Sequence, residues 1–217
     1  MRDKAVIFDL DGVIVDTARF HFLAWQEIAR ELGIPFTETE NEKLKGVSRE
    51  KSLDYILDLG NTSLSGERKK QLLTKKNELY LDYISRLNES DLLPGIRELL
   101  DFLQATAIPV AVASSSRNAR MVLDKLNLTG RFDALLTGND IIHTKPHPEI
   151  FLKAAEALQI KPGRCVVVED APAGIEAARR AGMKTIGVGH PAELKHAGTV
   201  VASPAGLLPV IKKMLDL

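Results

Sequence analysis

Short apolar runs recur along the chain and alternate with stretches of helical periodicity. Ala5-Val6-Ile7-Phe8 comes first. Val110-Ala111-Val112-Ala113, Ala134-Leu135-Leu136, Cys165-Val166-Val167-Val168, Thr185-Ile186-Gly187-Val188 and Val200-Val201 come after it. Each is apolar at both alternating positions, as in parallel strands covered by helices on both faces. Residues 95–104, 118–126, 148–158 and 174–181 between them read as helices. Pro148 suits a first helical position, and Gly182 a helix end. The alternation predicts an α/β fold with a doubly wound parallel sheet.

One stretch breaks the alternation. Between Thr17 and Asp91 there is no strand-like run. His21, Trp25, Ile28, Ala29 and Leu32 recur at helical spacing, and Gly33 closes that helix. Residues 48–59 and 67–87 also read as helices. A block of at least three helices after the first strand is expected to be an inserted α-helical cap. Residues 1–16 and 92–217 would then form the core, residues 17–91 the cap, and Leu92-Leu93-Pro94-Gly95 the return crossing.

Composition narrows the function classes. Lys+Arg and Asp+Glu number 29 each among 217 residues, so the formal net charge is zero. That argues against a broad electrostatic footprint for nucleic acid or an anionic membrane. The single cysteine, Cys165, excludes an intramolecular disulfide and a multi-cysteine zinc site, and its strand-like setting suits a packed thiol. No apolar run approaches the roughly 20 residues of a bilayer span. Two acids come closely after Phe8, so the N-terminus does not read as a signal peptide. A soluble, reduced, cytoplasmic monomer is the expectation.

The chemistry gathers at one sheet edge. Ligands of open parallel sheets bind outside the carboxyl ends of the strands. Asp9-Leu10-Asp11-Gly12 follows the first strand, and Ser114-Ser115-Ser116-Arg117-Asn118 follows the second. Lys145-Pro146 precedes the helix at Pro148, and Glu169-Asp170 ends the fourth strand. Each has a bland role: Asp11-Gly12 as a turn, Ser114 to Ser116 as helix caps, Lys145 as a solvated lysine, Glu169-Asp170 as a cap. Their convergence, more than any single member, carries the inference. Crowded carboxylates repel unless a hard cation sits between them, and oxygen-only ligands favour Mg2+ over zinc. Of Asp9 and Asp11, one could bind metal and attack phosphorus while the other manages a proton. Lys145 and Ser114 could neutralise and hydrogen-bond phosphoryl oxygens.

These four segments resemble, in order, the four motifs of the haloacid dehalogenase superfamily, across almost the whole chain. Segments of the insert sharpen the likeness. Asp16-Thr17, His21 and Ala24-Trp25 are followed by Leu44-Lys45-Gly46-Val47-Ser48-Arg49-Glu50, Ser52-Leu53 and Lys75-Lys76-Asn77. With Ala113 to Asn118 they are similar to the β-phosphoglucomutases of that superfamily. The resemblance implies interconversion of β-D-glucose 1-phosphate and β-D-glucose 6-phosphate through β-glucose 1,6-bisphosphate and an aspartyl-phosphate. It implies Asp9 as nucleophile and Asp11 as general acid and base. Mg2+ would be held by Asp9, the Asp11 carbonyl, Glu169 and Asp170. Ser114 and Lys145 would hold the transferring phosphate; Arg49, Ser116, Arg117 and Asn118 would hold the other. Gly46, Val47 and Ser48 would line the sugar site. His21 and Lys76 would lie near the acid/base or the sugar face, and Trp25 beside them, where its helical spacing also suits a core residue. Arg117 replaces a lysine common in the family, and Ser115 a smaller residue. The expected partners are small-molecule sugar phosphates, with neither nucleic acid nor membrane. A Mg2+-dependent sugar-phosphate phosphatase on the same scaffold is the alternative.

Overall fold

A computed structural model describes residues 3–216. Six strands, β1 (Ala5–Phe8), β2 (Val110–Ala113), β3 (Ala134–Leu136), β4 (Cys165–Glu169), β5 (Lys184–Val188) and β6 (Thr199–Val201), form one parallel sheet in the order β3-β2-β1-β4-β5-β6. The order reverses between β1 and β4, and the carboxyl ends of these neighbours flank the crevice where such sheets bind ligands. Phe8 pairs with Val168, and the Asp9 amide donates to the Val168 carbonyl at 2.9 Å. Asp9 and Glu169 therefore leave adjacent strands side by side.

Strand alternation explains the layers. Val6, Phe8, Val110, Val112, Val166 and Val168 bury one face against α5 (Ile96–Ala105), α6 (Ala119–Lys125) and α9 (Leu207–Leu215). Ala5, Ile7, Ala111, Ala113, Cys165 and Val167 bury the other against α7 (Glu149–Ala157) and α8 (Pro172–Arg180). Both faces are dry, which is why the runs lack a polar alternate. Cys165 is a packed thiol, pushed up to about 11 by burial.

Two helix starts differ from the expected ones. The helix expected from residue 148 begins at Glu149, because Pro148 stands at the N-cap and its carbonyl accepts from Phe151 and Leu152. The helix expected from residue 174 begins at Pro172, a residue whose missing N–H costs nothing in a first turn.

Four helices lie between β1 and α5: α1 (Ala18–Glu31), α2 (Glu38–Glu42), α3 (Arg49–Leu59) and α4 (Gly66–Ser85). The five-residue α2 is too short to show a periodicity in the sequence. Trp25, Ile28, Phe36, Leu53, Ile56 and Leu72 give this segment a hydrophobic core of its own. The chain leaves and returns along one line, with the Leu93 amide donating to the Ile14 carbonyl at 2.9 Å and Val15 bridging Leu92. No helix among the described residues is long and apolar enough to cross a membrane.

Candidate active site

A cavity of about 550 Å³ lies between the helical segment and the sheet edge. Asp9, Asp11, His21, Trp25, Gly46, Val47, Ser48, Arg49, Lys76, Ser115, Ser116, Arg117 and Asp170 line it. Lys145 and Glu169 stand just behind this lining, fully enclosed.

The buried charges form a chain. Lys145 Nζ donates to Asp9 Oδ1 at 2.5 Å and to Glu169 Oε2 at 2.8 Å. Burial alone would lower the Lys145 pKa, but Asp9 and Glu169 outweigh it and hold the ammonium above its ordinary value. Burial raises Glu169 to about 7 and, with Glu169 and Asp9 nearby, lifts Asp170 well above the usual carboxylate range. Asp11 is pushed up to about 8, first by burial and then by Asp9, and its Oδ1 is buried without a hydrogen-bond partner. A carboxyl held this way carries a proton near neutral pH and can donate it.

The donor chemistry fits a hard divalent cation. Asp9, Glu169 and Asp170 each bring a carboxylate oxygen within 4.8 Å of the others. Two glycines make room: a Cβ at Gly12 would collide with the Asp170 carboxylate, and one at Gly174 with that of Glu169. Glu169 is the most engaged of the three, since Oε1 also accepts the Ala171 amide.

The Ser-rich turn after β2 is held by hydrogen bonds within itself. Ser114 is fully buried; its Oγ accepts the Ser116 amide, and Ser116 Oγ accepts the Asn118 amide. Each hydroxyl is used as an acceptor and still has a proton to donate. Neither Ser114 nor Asn118 reaches the cavity surface directly.

The helical wall supplies a second cationic group. Lys76 is 2 % exposed on α4, its Nζ 2.7 Å from His21 Nδ1, 5.0 Å from the Trp25 ring centroid and 4.8 Å from that of Tyr80. Burial, and then Arg49, lower Lys76 to about 7. Burial, Lys76 and Arg49 hold His21 well below its ordinary value. His21 Nδ1 and Lys76 Nζ lie within hydrogen-bond distance of each other. Trp25 belongs both to the helical core and to the cavity lining.

Several contacts between the segment and the sheet edge run through residues that the motif pattern did not single out as ligands. Asn77 Oδ1 accepts from Arg49 Nη2 at 2.7 Å and from Asn118 Nδ2 at 2.8 Å. Glu50 pairs with Arg117 at 3.0 Å, and Ser115 Oγ donates to the Gly46 carbonyl at 3.1 Å. Lys45 approaches Asp170 at 3.7 Å. Lys45, Glu50 and Asn77 lie inside the cap segments that carry the resemblance, so neighbourhood was the available signal. The loop bearing Ile141, Ile142, His143 and His147 also lines the cavity, and nothing in the sequence marked it.

Residues 6–188 match the haloacid dehalogenase-like hydrolase family model. The chain is 46% identical to β-phosphoglucomutase of Bacillus subtilis over 206 residues, covering 94% of this chain and 91% of that protein. It is 35% identical to a phosphorylated carbohydrates phosphatase of Thermotoga maritima, over 98% of this chain and 100% of that one. The crystal structure of β-phosphoglucomutase from Clostridium difficile superposes with a TM-score of 0.95 at 41% identity, covering 100% of this chain and 98% of the other. With the six-stranded order, the four motifs at the sheet edge and this likeness agreeing, the chain belongs to the haloacid dehalogenase-like hydrolase family.

Proposed function

We propose that the chain is a phosphomutase interconverting β-D-glucose 1-phosphate and β-D-glucose 6-phosphate through β-glucose 1,6-bisphosphate. One observation carries this reading: a single cavity presents Asp9 and Asp11 and also the cations Arg49 and Arg117. Hydrolysis of a monophosphate needs the first set alone. A bisphosphate held while it reacts at one end needs both. The 46% identity to a β-phosphoglucomutase, against 35% to a phosphatase, favours the same choice.

In this reading Asp9 attacks phosphorus through a carboxylate oxygen. The Asp9 O–P bond forms as the P–O bond to the sugar breaks, and the departing sugar oxygen takes the Asp11 proton. In the other half phosphoryl-Asp9 passes its group to the 6-hydroxyl of β-glucose 1-phosphate, whose proton returns to Asp11; this forms the 1,6-bisphosphate, and Asp9 then removes the C1 phosphoryl group from it. Lys145 neutralises the equatorial phosphoryl oxygens, and the Ser114 hydroxyl donates to one. Asp9, the Asp11 carbonyl, Glu169 and Asp170 would hold Mg2+, which when bound neutralises charge on the transferring group. Arg49, Ser116 and Arg117 bind the remote phosphate, and Asn118, behind them, steadies Arg49 through Asn77. Gly46, Val47, Ser48, Ser115, Lys76, His21 and Trp25 surround the sugar.

Residues 17–91 act as a cap. A phosphoryl-aspartate meets either a sugar hydroxyl or water, so a mutase must exclude water. Arg49 reaches the remote phosphate from the cap and so couples occupancy to closure.

Phosphorus NMR tests this with Mg2+, β-glucose 1-phosphate and a trace of the 1,6-bisphosphate, the α anomer run in parallel. Conversion of the β anomer alone to glucose 6-phosphate is the expected result. Inorganic phosphate as the dominant product would replace the mutase with a phosphatase.

A further inference from the structure

Asp170 is the least compensated acid of the cluster. Lys145 serves Asp9 and Glu169, and Glu169 also holds the Ala171 amide. Among the described residues the cation beside Asp170 is Lys45, its Nζ 3.7 Å from Oδ2. Lys45 comes from the helical segment. It precedes Gly46, which takes a φ of +72 and hands its carbonyl to Ser115 Oγ on the sheet edge. Seating of this loop therefore places a positive charge against the acids. Lys45 also has a second anion, Glu42, at 2.7 Å. A flexible stem between two carboxylates lets the ammonium swing from Asp170 to Glu42 without losing a partner.

We infer that Lys45 is a built-in counter-cation for Asp170 that competes with the divalent metal, so that metal occupancy and the seated Lys45–Gly46 loop oppose each other. The inference rests on the proposed reading of Asp170 as a metal ligand. A divalent ion on that carboxylate would stand within a few ångströms of the ammonium, and like charges at that range repel even in a partly wet site. Coupling is reciprocal: whatever Lys45 subtracts from metal affinity, the metal subtracts from the seated loop. A phosphoryl group arriving beside the metal reverses the balance, because it brings negative charge for both cations. Lys45 thus makes the loop close over metal and phosphate together more readily than over metal alone.

Isothermal titration of the substrate-free full chain with MgCl2 tests this without any turnover. Lys45→Met is expected to bind Mg2+ about threefold to tenfold more tightly than the wild type. Lys45→Arg, which keeps the charge, is expected to bind as the wild type does. The Mg2+-induced rise in melting temperature should be larger in Lys45→Met, since a ligand of the native state stabilises in proportion to its affinity. Unchanged or weakened binding in Lys45→Met would overturn the inference. Asp170→Asn separates the two layers. If it leaves Mg2+ binding intact, the metal reading itself fails, whereas loss of binding there with no change in Lys45→Met sinks only the role of Lys45.

Discussion

The sheet edge and the helical segment each bury a lysine against the same cavity, and the two behave oppositely. Lys145 is 3 % exposed and Lys76 2 %. Lys145 sits between two carboxylates, which hold its charge in place. Lys76 faces an imidazole and two aromatic rings, with Arg49 nearby, and falls to about 7. Burial is the same cost in both; the partners decide the outcome. The sheet edge thus offers a permanent cation where phosphorus is to be held. The helical wall offers one that gains or loses its proton near neutral pH, a group suited to meet an arriving anion without demanding one beforehand.

Removing the permanent charge should have the largest effect. Lys145→Met leaves Asp9 and Glu169 facing each other unpaired, a loss of about 3–5 kcal/mol by the usual cost of breaking a buried pair. Urea unfolding of metal-free protein measures it, and added Mg2+ should recover part of the loss. No change in stability would mean that the two carboxylates carry a proton instead.

Lys76→Met should shift stability the other way. Lys76 has a pKa of about 7 when folded against 10.5 unfolded. Between these values the unfolded chain holds a proton that the native state lacks, so its contribution to stability rises with pH. The burial penalty is full below about pH 7 and gone above about pH 10.5. Lys76→Met should therefore gain about 1–3 kcal/mol below neutrality by relief of an unpaired buried charge, the gain fading as pH rises through the alkaline range, while turnover on sugar phosphates falls. A gain independent of pH would point to packing and not to charge.

The smallest effect belongs to the pair that joins the two regions. Glu50 and Arg117 are both nearly half exposed. Glu50→Gln should change stability by less than about 1 kcal/mol, and added salt should shrink even that. A larger, salt-insensitive loss would show that the two walls are held together by this ion pair more than by Asn77.

Asp9, Asp11, Glu169 and Asp170 were legible because strand ends are legible, and Lys145 because it stands just before the helix at Pro148. A run of four or five apolar residues buried on both faces has no other assignment that suits its neighbours, and the residues just beyond it must emerge at one edge. The helical insertion was legible as an interruption of that rhythm. The short α2 was not, since five residues carry no periodicity. Lys145 and Lys76 were both marked as candidates, yet their opposite electrostatics were invisible, because pKa depends on which groups lie within a few ångströms. Asn77, Lys45 and Glu50 were likewise hidden: their partners Asn118, Asp170 and Arg117 lie far along the chain. The rim at Ile142 and His143 joined the cavity only through folding.

By itself, then, the sequence determined the sheet, its charged edge and the interrupting helices. These arise from periodicity and from the direction in which parallel strands run, both local properties of a chain. Tertiary structure alone decided which lysine keeps its proton, which acid Lys45 meets, and which side chains bridge the two walls. Those outcomes depend on burial and on through-space distance, which the order of residues does not contain.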